Sequence, residues 1–200
     1  MRHKTLVFFI IFSTSLPAME SKKLSFLPFK KNILENIAEG EIYSASEVNS
    51  KKENKTQTFD FKIAGLHPKS CNYALKTLSI YEEYNLYLSF IRNSKYHEAS
   101  KEITLDLVHF LLPFDLTLKF KLPRMRSPGS YHFTFEEGPL KNLLGQIQIT
   151  AIDNQCLFLV TANWSGNDTG INDSVLQIFT QILSKMTMEK LFTVSKTLAH

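Results

Sequence analysis

The sequence lacks the short motifs that mark the common catalytic sites. It contains no Gly-x-Ser-x-Gly elbow, no phosphate-binding loop and no His-Glu-x-x-His helix. The acidic pairs Glu82-Glu83 and Glu136-Glu137 join neighbours in sequence, and neighbouring side chains on a helix or strand point apart. These absences favour binding or transfer over catalysis, and the sequence predicts no catalytic residue and no cofactor.

Cysteine is scarce, which limits the metal chemistry. The two cysteines, Cys71 and Cys156, do not form a Cys-x-x-Cys motif, and His97 and His109 are not spaced from them as in a zinc site. The sequence therefore predicts no metal site. Two cysteines in an oxidising compartment commonly form a disulfide. Whether a disulfide is expected here therefore depends on the compartment.

Long apolar runs are also missing after the first residues of the chain. The basic residues Arg2 and Lys4 precede an apolar run over Leu6–Phe12, and the small residue Ala18 suits a signal-peptidase site. We interpret residues 1–18 as a cleaved secretory signal peptide. The alternative is an uncleaved anchor, but the run is shorter than the ~20 residues that span a bilayer. The sequence therefore predicts an exported protein, periplasmic or secreted.

A strong excess of one charge is absent too. Removing Arg2 and Lys4 with the leader leaves 21 basic and 19 acidic residues, a net charge of +2. A nearly neutral chain has no electrostatic footprint for nucleic acid. The sequence therefore predicts no nucleic-acid partner.

One local basic cluster nevertheless stands out, in the loop Lys119–Arg126. Leu122 and Met125 lie between its cations, which are Lys119, Lys121, Arg124 and Arg126. Such a loop could make a transient contact with anionic lipid head groups. The alternative is the solvated end of a hairpin.

The order of elements follows from hydrophobic periodicity. Residues 19–57 form an N-terminal extension, in which the alternating stretch Glu41–Val48 predicts a strand hairpinned onto the next one. A half-buried strand follows over residues 58–66, and two short helices are predicted between Lys69 and Leu88. The remaining strands are predicted over Ser89–His97, Glu102–Phe110, Pro113–Leu122, Gly129–Glu136, Leu144–Ile152 and Gln155–Trp164.

The faces of these strands predict how the chain folds. Inside each strand, apolar and polar residues alternate, which gives the sheet one apolar face. A helix from Asp173 to about Thr197, with an N-cap in Asn172-Asp173-Ser174, supplies an apolar stripe that can cover this face. The prediction is an α+β domain in which a curved antiparallel sheet of about seven strands wraps a long C-terminal helix.

Two stretches of sequence resemble a known superfamily. They are FEEGPLKNLLGQIQI, with Glu137-Gly138-Pro139 and Gly145, and ALKTLSIYEEYNLYLSFIRNSKY. Together with the order of elements they resemble the START-like (SRPBCC) superfamily, in particular its polyketide cyclase and coenzyme-Q-binding branch. The resemblance implies a helix-grip domain over residues 58–199, with the two short helices after the first family strand.

The resemblance also implies a cavity between the sheet and the C-terminal helix, for a lipid, a quinone or a sterol-like or polyketide-like molecule. The alternatives are a filled core with a protein-interaction role and, less favoured, a cyclase or aromatase. The candidate ligand-binding residues are Phe90, Leu105, Leu107, His109, Leu116, Leu118, Phe120, Phe133, Phe135, Ile147, Ile149, Phe179, Ile182 and Met186.

Polar groups near that cavity are few. His109 occupies the apolar face of its predicted strand, where it could orient a ligand or act as a base; the alternative is a strand end in contact with water. Tyr84, Tyr87 and Tyr131 could donate hydrogen bonds at the mouth, or serve as rim packing.

The same resemblance brings the cysteines together. Cys71 follows the first family strand and Cys156 begins the last, and these two strands pair antiparallel in the superfamily. A disulfide between them would close a loop of about 86 residues and stabilise the fold by ~4 kcal/mol in the chain-entropy treatment.

Overall fold

The computed structural model describes residues 23–51, 53–108 and 115–197. Its helices are α1 (Lys31–Ala38), α2 (Cys71–Leu78), α3 (Tyr84–Tyr87, preceded by a 3-10 turn over Tyr81–Glu83) and α4 (Asp173–Thr197). Its strands are β1 (Tyr43–Lys51), β2 (Thr56–His67), β3 (Ile91–His97), β4 (Glu102–Leu107), β5 (Leu116–Lys121), β6 (Gly129–Glu137), β7 (Leu144–Ile152) and β8 (Gln155–Asn167).

In the described part of the chain, eight strands form one antiparallel sheet. Their spatial order is β1-β2-β8-β7-β6-β5-β4-β3. Strand β1, from the N-terminal extension, pairs with β2 from Tyr43 opposite Ala64 to Lys51 opposite Thr56. The sheet and the 25-residue helix α4 confirm the predicted α+β, helix-grip architecture.

Several strand boundaries differ from prediction. Strand β3 begins at Ile91 because Ser89 and Phe90 form the turn that leads out of α3. Strand β8 continues to Asn167, beyond the predicted end at Trp164, because the long β2 still offers Thr56 as its partner there. The predicted end of β4 and start of β5 fall in residues 109–114, outside the described part.

The N-terminal extension covers the outer face of the sheet. Helix α1 buries Leu34 and Ile37 against Ala64 and Leu66 of β2 and Leu157 of β8. The sequence pattern does not predict this helix, because the segment is short and its N-cap residue, Lys30, does not cap it through its side chain.

The beginning of α4 is fixed to the first hairpin by hydrogen bonds. The backbone N–H of Ser50 donates to Oδ2 of Asp173 at 2.9 Å, and Nε2 of the fully buried Gln57 donates to Oδ1 of Asp173 at 2.7 Å. Asn172 caps the helix, since its Oδ1 accepts from the N–H of Ser174 at 3.0 Å. The hydroxyl of Ser50 also donates to Oδ1 of Asp173 at 2.6 Å, and the bonds from this hydroxyl and from Gln57 lower the pKa of Asp173.

The other end of α4 is held by a buried histidine. The N–H of Lys69 donates to Nδ1 of His67 at 3.1 Å, so the imidazole proton lies on Nε2 and points to Oγ of Ser195 at 2.8 Å. Ser195 in turn donates to the carbonyl of Phe192. Burial lowers the pKa of His67, which keeps the ring neutral.

A disulfide joins Cys71 to Cys156. Their Cα atoms lie 4.7 Å apart, and the residues are 85 positions apart in sequence. The bond ties the first turn of α2 to the start of β8, beside the buried end of α4.

Candidate functional site

A cavity of about 420 Å³ lies between the sheet and α4. This volume falls within the roughly 300–1,000 Å³ of small-molecule sites. Strands β2 to β8, helices α2 to α4 and the loops beside them supply the wall, and its apolar members are Phe59, Phe61, Ile63, Leu78, Leu88, Phe90, Ile91, Ile103, Leu105, Leu107, Leu116, Leu118, Phe120, Leu122, Met125, Phe133, Phe135, Pro139, Leu140, Leu143, Ile147, Phe158, Val160, Ala162, Ile171, Val175, Leu176, Phe179, Leu183, Met188, Leu191 and Phe192.

Ten of the fourteen candidate residues lie on this wall. The structure brings together Phe90, Leu105, Leu107, Leu116, Leu118, Phe120, Phe133, Phe135, Ile147 and Phe179. His109 lies outside the described residues. Strand alternation places the inward side chains of β4, β5 and β6 on one face, because each pleat turns every second residue toward α4.

Three candidates do not line the cavity. Ile149 is buried, but it lies opposite Phe158 and Gly129 at the end of β7 that α2 covers. Ile182 and Met186 are 44% and 47% exposed, because α4 turns a different face to the sheet. The wide apolar arc of this helix does not reveal which of its sides is inward.

Sequence reasoning missed the hydroxyl side chains of α4 that face inward. Thr180, Ser184 and Thr187 belong to the wall, and Thr180 and Ser184 also contact β1 through hydrogen bonds to Ser46 and Ser44. The spacing of these hydroxyl residues, by four and then three positions, could have indicated that they share one side of the helix.

The cavity wall is less buried on β5 and β6 than on β4. On β4, Leu105 and Leu107 are only 8% and 3% exposed, whereas Leu118, Phe120 and Phe135 are half-buried. The closest backbone approaches of helix α4 are to β1 and α2. The side chains of β5 and β6 therefore face α4 across the cavity rather than in close backbone contact.

The Glu-Gly-Pro segment shapes the rim. Gly138 adopts a φ of +101°, which favours glycine. The chain then returns, so that the N–H of Asn142 donates to the carbonyl of Phe135 at 2.8 Å and the N–H of Phe135 to that of Leu143 at 3.0 Å. This closed loop brings Pro139 and Leu143 to the cavity.

The three tyrosines considered as donors at the mouth donate elsewhere. Tyr84 donates to the carbonyl of Leu78 at 2.7 Å and Tyr131 to that of Ser127 at 2.8 Å. Tyr87 donates to the Glu83 carboxylate at 2.6 Å, and this hydrogen bond raises the pKa of Tyr87 to about 12. The expectation that these phenols serve a ligand therefore has no support.

Carboxylates pair with the basic loop. Lys119 lies 3.2 Å from Glu137, and Lys121 lies 3.2 Å from Glu136. The guanidinium of Arg124 contacts both oxygens of Glu82 at 3.1 and 3.2 Å.

The apolar residues of the loop are buried. Leu122 and Met125 are each 5% exposed, and Arg126 contacts Glu98. The arrangement matches a solvated hairpin end, and the membrane contact stays a prediction.

Two features are absent from the described residues. Within them, no group of three or more histidine, cysteine, aspartate or glutamate side chains is placed to hold a metal ion. None of the described helices combines the length and apolar character needed to cross a membrane.

Comparison with known proteins supports the fold. No protein-family model matches the sequence, and no curated protein matches it. Among solved structures, the Zhui aromatase/cyclase from Streptomyces sp. R1128 aligns with a TM-score of 0.58 at 9% identity, over 70% of this chain and 94% of that one. A conserved protein from Geobacillus kaustophilus gives a TM-score of 0.58 at 14% identity, over 70% and 97% of the two chains.

A third similar structure is Ara h 8.0201, with a TM-score of 0.56 at 14% identity, over 70% of this chain and 99% of that one. Identities this low establish the fold and not the activity. The alignments show that the chain shares the helix-grip fold of these structures.

Proposed function

We propose that this protein binds an apolar small molecule, such as a lipid, a quinone or a polyketide-like compound, and carries it in an exported compartment. The observation that carries the proposal is the cavity of about 420 Å³ with an almost wholly apolar wall. Enclosing apolar ligand surface in such a wall contributes about 25 cal/mol for each Å² removed from water.

The composition of the wall favours binding over catalysis. Apart from tyrosine hydroxyls, the described residues of the wall carry no ionisable side chain, so none of these residues is a carboxylate, imidazole or amine for general acid-base chemistry. The phenols of Tyr81 and Tyr84 have their pKa raised by burial and stay protonated.

Export is supported by the leader pattern of residues 1–18 and by the disulfide between Cys71 and Cys156. The test is the intact mass and N-terminal sequence of the protein recovered from the producing cells. A mature chain that begins at Met19 outside the cytoplasm supports export, whereas a full-length chain confined to the cytoplasm refutes it.

Ligand binding is tested by titration with N-phenyl-1-naphthylamine, a neutral apolar fluorophore. Ala162 is 7% exposed and lines the cavity, so Ala162→Leu should fill part of it and weaken binding by about tenfold, or 1.4 kcal/mol. The matched control is Ala151→Leu on the neighbouring strand, where the side chain is exposed. Wild-type protein that does not bind the probe, or equal affinity in all three proteins, would refute the proposal.

A further inference from the structure

Six hydroxyl side chains interrupt the apolar wall of the cavity. They are Tyr81, Tyr84, Thr169, Thr180, Ser184 and Thr187. A hydroxyl has one proton to donate and two lone pairs that accept. The direction in which each proton points therefore decides what the wall offers to a ligand.

Two threonines of α4 donate to their own helix. Oγ1 of Thr180 donates to the carbonyl of Leu176 at 2.8 Å, and Oγ1 of Thr187 donates to the carbonyl of Leu183 at 2.6 Å. Threonine commonly makes this bond to the preceding turn. The oxygen of each keeps lone pairs that can accept.

The next two hydroxyls are also satisfied within the chain. Oγ of Ser184 lies 3.1 Å from the carbonyl of Gln181 and 2.9 Å from Oγ of Ser44. Oγ1 of Thr169 donates to Oε1 of Gln57 at 2.7 Å. Each of these protons has a partner in the protein before any ligand enters.

The two phenols complete the set. Tyr81 donates to the carbonyl of Pro123 at 3.0 Å, and Tyr84 donates to the carbonyl of Leu78 at 2.7 Å. The described part of the wall contains no lysine, arginine, histidine, asparagine, glutamine or tryptophan. Among the described residues, its side chains therefore offer acceptors to a ligand and no unpaired donor.

We infer that the cavity selects ligands whose enclosed part is hydrocarbon or carries a hydroxyl group, and disfavours enclosed carboxylates, phosphates and carbonyls. A ligand hydroxyl can donate to the threonine and serine oxygens of α4, whereas an enclosed carbonyl or anion loses its water without finding an unpaired donor among the described side chains of the wall. This inference rests on the proposed function and narrows its ligands to hydrocarbon-rich molecules and alcohols, because quinones and polyketides would enclose carbonyl groups.

The test uses three compounds with one carbon skeleton: 1-dodecanol, 2-dodecanone and dodecanoate. Each compound is titrated into the complex of the mature protein with N-phenyl-1-naphthylamine at pH 7.5. The constants for displacement of the probe are then compared. We expect 1-dodecanol to bind about tenfold more tightly than either of the others, the effect of one unsatisfied acceptor. Solvation alone does not explain tighter binding of the alcohol than of the ketone, because removing a hydroxyl from water costs free energy as well. The carboxylate also loses the hydration of its charge, so the comparison of alcohol with ketone is the decisive one.

The contribution of the α4 oxygens is isolated by the triple variant Thr180→Val, Ser184→Ala, Thr187→Val. This change should abolish the preference for the alcohol over the ketone. Thr193→Val is the matched control, because Thr193 makes the same bond to its own helix at 2.8 Å but is exposed. Thermal unfolding of each variant checks that it is folded.

The outcomes separate this inference from the function on which it rests. If the ketone or dodecanoate binds as tightly as the alcohol, or if the triple variant keeps the preference, the inference is wrong while cavity binding stands. If neither the probe nor any dodecyl compound binds, the proposed function itself is wrong.

Discussion

Gly145 lies opposite Phe133 in the pairing of β6 with β7, and the ring of Phe133 covers the space that a Cβ at position 145 would occupy. The ring also contacts Phe120 and Phe135, with centroids 6.4 and 6.1 Å away. The absence of a side chain at Gly145 therefore leaves the space that the ring of Phe133 occupies in the cavity wall.

Replacing Gly145 with alanine should displace that ring. We expect Gly145→Ala to lower the free energy of unfolding by ~1–3 kcal/mol, as overpacking does, and to weaken binding of N-phenyl-1-naphthylamine because the ring moves within the cavity. Urea unfolding and probe titration measure the two effects. Leu144→Ala, a change at the adjacent exposed side chain, should alter stability by no more than ~0.5 kcal/mol. Wild-type values for Gly145→Ala would contradict this account of the glycine.

The disulfide should contribute much of the stability of the domain. Reduction of Cys71–Cys156 releases a long loop in the unfolded chain, so the free energy of unfolding should fall by ~4 kcal/mol. Urea unfolding with and without reductant measures this difference. The free energy of unfolding of the double variant Cys71→Ser, Cys156→Ser should not change when reductant is added. If reductant also leaves the wild-type value unchanged, the bond adds no stability.

Acid should loosen the end of α4 through His67. Burial lowers the pKa of His67 in the folded protein below its usual 6.5, so the unfolded chain binds the proton first as pH falls. The stability that depends on the neutral ring is complete above pH ~6.5 and declines below it, down to the pKa of the folded state.

The measurement compares urea unfolding at pH 7.5 and 5.5 for wild type and His67→Gln. Glutamine retains a donor for Ser195 and does not titrate, so its loss of stability between the two pH values should be smaller. Equal losses in both proteins would exclude His67 as the source.

The bonds at the beginning of α4 provide a further test. Gln57→Leu removes the amide that donates to Asp173 and accepts from Thr169, so it should cost ~2 kcal/mol through the unsatisfied groups that remain. Thr58→Ala, next to it in β2, removes only an exposed hydroxyl bond and should change little. Equal stability of the two variants in urea unfolding would show that the buried network is not required.

The alternation of apolar and polar residues predicted the part of the site that the strands form, because successive side chains of a pleated strand can point only to one face of the sheet or the other. Once Leu105, Leu118 and Phe133 are assigned to the apolar faces of their strands, pairing brings them to one wall. The beginning of α4 at Asp173 also followed from local chemistry, since the Asn172 cap is a short-range hydrogen bond.

The helix half of the site could not be predicted in the same way. Apolar residues surround much of α4, and the structure turns Ile182 and Met186 outward while Thr180 and Thr187 face the cavity. Their hydroxyls bond to the preceding turn, which reduces the cost of placing them there. Hydrophobicity alone therefore predicts Phe179 correctly but places Ile182 and Met186 on the wrong side of the helix.

The central claim is that the cavity holds an apolar molecule, and native mass spectrometry of the mature protein, purified without detergent from its own compartment, tests it most directly. The account predicts a stoichiometric adduct that organic solvent extracts and that Ala162→Leu loses while Ala151→Leu retains it. A wild-type spectrum at the mass of the polypeptide alone, with no uptake from a panel of lipids and long-chain alcohols, would contradict it.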